Sequence, residues 1–445
     1  MSGILRQQPA NTMADQDSST FGKQHQRREL KPPNGGSTMQ ALVKVITSSG
    51  SISSFMKSNT KGAIRLNRPN SKVKKAFQAN SCYRGIPNSE GDAFQSTLQP
   101  LVIESFENDA NFFLHSTGAR STGKTTAIFG DDENNPGFLQ LTAQQIFSCI
   151  SIASAESTDI YTTTLSYLTT PSVSNSENNN SELDDQLISI VDLTRDCPRP
   201  IRVRERGGGS KEFYAENLTE VVCNSFNEFR DVLNYGLGAD KSCDKYHSLC
   251  TIRVYKNEGE SVCNFGFLDL CGKERKLEEK GEDVTLKAYN RVVDALYNKF
   301  SHVPFRDSKV TRLASYGFAN ALHSVAITCV DNGEGKFDET CAVLEHMTKL
   351  QKIKVSAKKG PRFDRRAELA KASQKVKQLH AILVQTTPGI QSLEGLKSHH
   401  IELDMTSSDE MVDFRDSLAK KELLEVNHFE KMVQVSSDWW KAMNE

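Results

Sequence analysis

Polar side chains dominate the first 38 residues, which end in Lys31-Pro32-Pro33-Asn34-Gly35-Gly36-Ser37 before Thr38; residues 1–38 are read as a flexible arm. Apolar density rises at Met39-Gln40-Ala41-Leu42-Val43-Lys44-Val45-Ile46, which predicts a first strand. From residue 39 to about 355, strand-like and helix-like patterns alternate, the signature of an α/β layered domain. Asn111–His115 and Asn264–Leu268 predict two further strands, and Thr126-Ala127-Ile128-Phe129 begins a helix. The stretch 171–185 (PSVSNSENNNSELDD) is too polar to pack and reads as a surface insertion. Residues 356–445 form a helical extension, in which Met411, Phe414, Leu418 and Leu424 recur at roughly helical spacing. No heptads are sustained there, so no long coiled coil is expected; a monomer and a partner chain held through residues 407–435 both remain open.

Charge refines this picture locally. The chain has 445 residues, and its 55 Lys and Arg nearly balance 56 Asp and Glu. No whole-chain field favours nucleic acid or membrane. Residues 351–380 nevertheless hold ten basic against two acidic residues, net +8, whereas residues 391–445 are net −6. No 18-residue apolar run predicts a membrane span, and the N-terminus lacks a signal-type apolar core. Ten cysteines show no C-x-x-C spacing and read as small buried apolar residues of a reducing, cytoplasmic compartment.

The sharpest chemical signal is Gly118-Ala119-Arg120-Ser121-Thr122-Gly123-Lys124-Thr125, which fits G-x-x-x-x-G-K-[ST] in full. Its glycines let the backbone curl so that N–H groups point at phosphate oxygens. Lys124 places a positive charge on the outer phosphates, the Thr125 hydroxyl ligates Mg²⁺, and Thr126 continues into a helix whose N-terminus favours anions. The strand at 264–268 ends in Asp269, a second carboxylate suited to Mg²⁺, and Gly272 follows three residues later to offer its N–H to a γ-phosphate.

With both elements in place, the chain resembles a kinesin motor domain over roughly residues 39–355. The loop at 118–125 takes the place of the family's GQTGSGKT. Phe94–Val102 resembles the helix before it, Pro136–Leu139 with Gln145-Ile146-Phe147 the "GIIPR…IF" stretch, and Glu216–Val221 the "GLTE" stretch. Asp269–Arg275 resembles the switch II sequence DLAGSER, and Asp338-Glu339-Thr340 with Leu344-Glu345-His346 the final helix. The most specific match is His302–Leu313, HVPFRDSKVTRL, close to the family's HVPYRDSKLTRLL. The resemblance implies a P-loop NTPase fold with a central, mostly parallel sheet flanked by helices. It further implies ATP and Mg²⁺ as cofactors, Asp269, Gly272 and Glu274 as switch II residues, and microtubules as partner, contacted through His302, Arg306, Lys309 and Arg312. Leu350–Val355 sits where kinesins leave the core into a neck linker.

Switch I departs most from the family's NxxSSRSH. Aligned on His247, the stretch here is Cys243-Asp244-Lys245-Tyr246-His247, without the tandem serines and with Lys245 in place of arginine. Lys245 can pair with Glu274 but lacks the planar bidentate fork. Asp244 either approaches Mg²⁺ or repels γ-phosphate, and His247 either nears the phosphates or is a satisfied core histidine. The family's RxRP near adenine is replaced by Lys44-Val45-Ile46-Thr47. The expectation is a microtubule-binding protein that binds ATP and hydrolyses it slowly. The alternatives are a hydrolysis-deficient nucleotide-binding scaffold on microtubules and a P-loop NTPase unrelated to them.

Overall fold

The computed structural model describes residues 37–47, 55–86, 89–132, 135–171, 188–189, 201–205, 213–216, 218, 220–239, 246–257, 261–271 and 283–355, with positions 374, 377 and 378 beyond them. Lys245, Gly272, Glu274, the insertion from residue 172 to 185 and almost all of the C-terminal extension lie outside the described residues.

The described chain begins in β1 (Ser37–Thr38), within the stretch read as an arm, and continues into β2 (Gln40–Ile46). The middle five residues of β2 are buried, as befits a strand covered on both faces. A small sheet of β3 (Met56–Ser58), β4 (Ala63–Asn67) and β5 (Lys74–Gln78) follows, and β6 (Ser81–Arg84) returns beside β2. Helix α1 (Ser89–Ala93) passes through one π turn at Phe94–Leu98 into α2 (Gln99–Glu107). Strand β7 (Phe112–Gly118) leads through a tight loop to α3 (Lys124–Phe129). The hairpin β8 (Gly130–Asp132) and β9 (Asn135–Pro136) precedes α4 (Phe138–Glu156). Strands β10 (Tyr161–Pro171), β11 (Ile188–Ser189), β12 (Arg202–Glu205), β13 (Phe213–Glu216) and β14 (Val221–Cys223) come next, then α5 (Phe226–Ala239). The hairpin strands β15 (Tyr246–Lys256) and β16 (Ser261–Asp269) are followed by α6 (Val284–Tyr297), α7 (Lys309–Leu313) and α8 (Ser315–Ala319). Strand β17 (His323–Asp331), α9 (Phe337–Leu350) and β18 (Lys354–Val355) complete the described chain.

The large sheet runs β11-β10-β15-β16-β7-β17-β2-β6, with β14 also on β10. It is mixed rather than mostly parallel. The strands from β16 through β7, β17 and β2 to β6 pair in parallel, whereas β15 pairs antiparallel with both β16 and β10. The short connection between β15 and β16 explains the change, because a few residues can join only antiparallel neighbours. Helices α2 to α5 cover one face around Phe112, Leu114, Phe138 and Phe265, and α6 to α9 cover the other around Phe113, Phe318, Leu344 and Leu350. Alternation along β7 accounts for the division, Phe112 and Phe113 pointing to opposite sides. At the chain's exit, β18 pairs antiparallel with β1, and Met39 N–H donates to the Ile353 carbonyl at 3.0 Å.

Two buried histidines should make the fold acid-sensitive. His115 on β7 is fully buried among Phe113, Tyr289 and Phe318, and among the described residues neither ring nitrogen has a hydrogen-bond partner. Burial, with the nearby His346 adding to it, holds His115 down at about 3, and burial holds His346 at about 4. Both values are depressed, so only the unfolded chain takes up these protons as pH falls below about 6.5. Stability is therefore present near neutrality and is lost between pH 6.5 and about 3. Thermal melts from pH 7.5 to 4.5 should show a steep fall in Tm, and His115→Leu should flatten that slope. An equal slope in the variant would contradict the assignment.

Candidate nucleotide site

The loop between β7 and α3 lies at the carboxyl end of the parallel strands, where open α/β sheets place their ligands. Its backbone explains its glycines. Gly118 has φ 141° and Gly123 φ 80°, and a Cβ on Gly118 would come within 2.3 Å of the Cys329 carbonyl oxygen. Neither conformation suits a side chain. Ser121 also takes a positive φ of 60°. Thr122 ties the turn together by donating to the Ala119 carbonyl at 2.8 Å, and Lys124 Nζ donates to the same oxygen at 2.5 Å. Lys124 is buried, with its ammonium turned back over its own loop.

Thr125 and Asp269 meet, although 144 positions separate them. The Thr125 hydroxyl donates to Asp269 Oδ2 at 2.6 Å, and Ser116 donates to Oδ1 at 2.6 Å. Ser116 in turn accepts the Leu270 N–H at 3.3 Å. Burial pushes the Asp269 carboxyl above its ordinary range, opposed by the hydrogen bonds from Ser116 and Thr125. This donor set fits Mg²⁺: a hydroxyl and a carboxylate, both hard oxygens, converge beside a loop that only glycine can trace.

Sequence reasoning missed Ser116, whose signal was a polar residue in an apolar strand next to the loop. It missed a second support as well. Lys44 on β2 is buried, 2.7 Å from Glu90 Oε1 of α1, and its Nζ donates to the Gly123 carbonyl at 3.3 Å. A cation thus remains under the loop where the family arginine of RxRP is replaced.

His247 proves to be a satisfied core histidine. It is 1% exposed on β15; its Nδ1 accepts the Cys271 N–H at 3.1 Å, which places the proton on Nε2, facing Asp283 at 3.0 Å. Asp283 caps α6 by accepting the Leu286 N–H at 2.7 Å. Cys271 and Asp283, on either side of residues 272–282, are therefore held to one imidazole. Glu220, within the GLTE-like stretch, accepts hydrogen bonds from Thr164, Arg253 and Tyr255 and braces β10 against β15.

The four residues expected to face a partner lie together around a short 3₁₀ turn at Phe305–Asp307 and α7. His302 and Arg306 are exposed, whereas Lys309 and Arg312 are half-buried. Arg306 pairs with Glu205 of β12 at 2.5 Å, and Arg312 donates to the Arg306 carbonyl at 2.8 Å, so Arg312 also shapes the turn. Phe300, just before them, is 61% exposed.

The family model for the kinesin motor domain matches residues 29–353. The chain belongs to the kinesin motor domain family. Similar proteins include "Kinesin-like protein 5" of Schizosaccharomyces pombe, 24% identical over 60% of this chain and 31% of that protein. A "Chromosome-associated kinesin KIF4B" of Homo sapiens is 26% identical over 74% of this chain and 28% of that protein. This kinesin-family chain thus aligns with about a third of the length of such relatives. A solved structure described as that of a fast kinesin superposes with TM-score 0.58 at 19% identity, covering 72% of this chain and 93% of that one, and confirms the kinesin motor fold. No helix among the described residues is long and apolar enough to cross a membrane.

Proposed function

We propose that this kinesin-family chain binds ATP with Mg²⁺ at residues 118–126, hydrolyses it slowly, and couples that cycle to microtubules, in the cytoplasm and on the cytoskeleton. The observation that carries the nucleotide reading is the convergence of Thr125 and Ser116 on Asp269 beneath the glycine-bounded loop. Bound Mg²⁺ would neutralise charge on the transferred phosphoryl group. Thr125 would hold the metal directly and Asp269 would hold it through water. Lys124 would leave the Ala119 carbonyl for the outer phosphates, while Lys44 and Thr122 keep the loop's shape. Glu274 and Lys245 are assigned to the switch pairing, and Gly272 to the γ-phosphate.

The microtubule reading is supported by family membership and by the grouping of His302, Arg306, Lys309 and Arg312 around one turn. Cations on an exposed turn attract an acidic filament surface, and salt screens that attraction. Arg306→Ala with Lys309→Ala should reduce microtubule co-sedimentation several-fold at moderate salt, with the fold retained because Arg312 still braces the turn. Equal pelleting of variant and wild type would overturn this assignment. What favours slow hydrolysis over a hydrolysis-deficient scaffold is the contact of the Thr125 hydroxyl with Asp269 beside a loop that carries Lys124.

A further inference from the structure

We propose that the outward face of the β3–β4–β5 sheet binds an extended acidic polypeptide, a surface separate from the turn at 302–312. Residues 55–79 hold seven Lys and Arg and no Asp or Glu. Two of these cations anchor the sheet to α9: Arg68 pairs with Asp338 at 2.9 Å and stacks over Phe337, and Lys75 pairs with Glu345 at 2.7 Å. The other five, Lys57, Lys61, Arg65, Lys72 and Lys74, are exposed and have no ion pair among the described residues.

Register places three of them side by side. Ile64 and Leu66 point inward and are fully buried, which turns Arg65 outward. Lys57 lies directly opposite Arg65 on β3, and Lys74 lies diagonally across on β5, where Ala76 opposes Arg65 and Lys74 opposes Asn67. Like charges directly opposite one another destabilise a sheet. An anionic chain laid across the three strands would relieve that repulsion. The rest of the face is Ala63, Asn67, Ala76 and Gln78, small or polar and without an aromatic ring. Bases would find nothing to stack on, which disfavours single-stranded nucleic acid. An extended acidic peptide needs only charge and a flat pleated surface, and as it crosses the strands it would meet Arg65 about 5 Å from Lys57 and Lys74 about 7–8 Å further on.

The test is carbodiimide coupling of a labelled oligoglutamate peptide to the full chain, mapped by mass spectrometry. Coupling is expected at Lys57, Lys61, Lys72 and Lys74, falling as salt rises. Arg65→Glu should lower coupling at these lysines at least tenfold and leave coupling within residues 351–380 unchanged. Arg65→Thr, which suits an exposed strand, should lower it less, and both variants should melt no lower than wild type. The proposal is overturned if peptide couples elsewhere but not on this sheet, or if Arg65→Glu changes nothing. It is also overturned if an oligothymidylate displaces the peptide at equal charge concentration, which would make the face a nucleic-acid surface. Unchanged coupling in Arg306→Ala with Lys309→Ala separates this surface from the microtubule turn.

Discussion

Replacing Lys124 by alanine should lower affinity for a fluorescent ATP analogue at least 100-fold in a protein that remains folded. The side chain is buried, yet it packs against its own loop rather than in the core, with its ammonium on the Ala119 carbonyl. Removing it leaves that carbonyl to Thr122, which already donates to it. The structural loss is therefore small, whereas a bound triphosphate would lose the ammonium proposed to meet its outer phosphates; hydrogen bonds to charged groups contribute about 1.5–3 kcal/mol each. Equilibrium titration followed by fluorescence anisotropy measures the change, and circular dichroism controls for the fold. Unchanged affinity in a folded variant would remove the phosphate-loop reading.

The second large effect concerns turnover. ATP hydrolysis should be about 100-fold slower than a well-assembled switch would give, because catalysis here is positioning and a misplaced group costs about that factor. The stretch Cys243–His247 lacks the tandem serines and carries Lys245 for arginine. His247 offers no substitute, since its two nitrogens are already committed to Cys271 and Asp283. Lys245→Arg should raise phosphate release or leave it unchanged, because the guanidinium restores a fork that can pair with Glu274. A marked fall in that variant would contradict the pairing.

Local pattern made the loop and its flanking strands legible. Lys124, Thr125 and the bracketing glycines form a contiguous motif, and the apolar run before Asp269 places that carboxylate at a strand end. Whatever depends on distant pairing was not legible. Ser116 matters because β7 lies parallel to β16, which brings it to Asp269 across 153 positions. Lys44 matters because β2 passes under Gly123. The mixed sheet escaped because strand direction is set by connections, and periodicity is the same either way. Strand register likewise, which the local pattern does not contain, sets Lys57 against Arg65.

One nucleotide site, built on Lys124, Thr125 and Asp269, is proposed to drive a slow cycle coupled to microtubules. Steady-state phosphate release by the full chain, measured with and without microtubules beside Lys124→Ala, tests it most directly. The expected result is slow release that microtubules stimulate and that Lys124→Ala abolishes. Release at ordinary motor rates would contradict the reading of switch I, and release indifferent to microtubules or to Lys124 would contradict the claim itself.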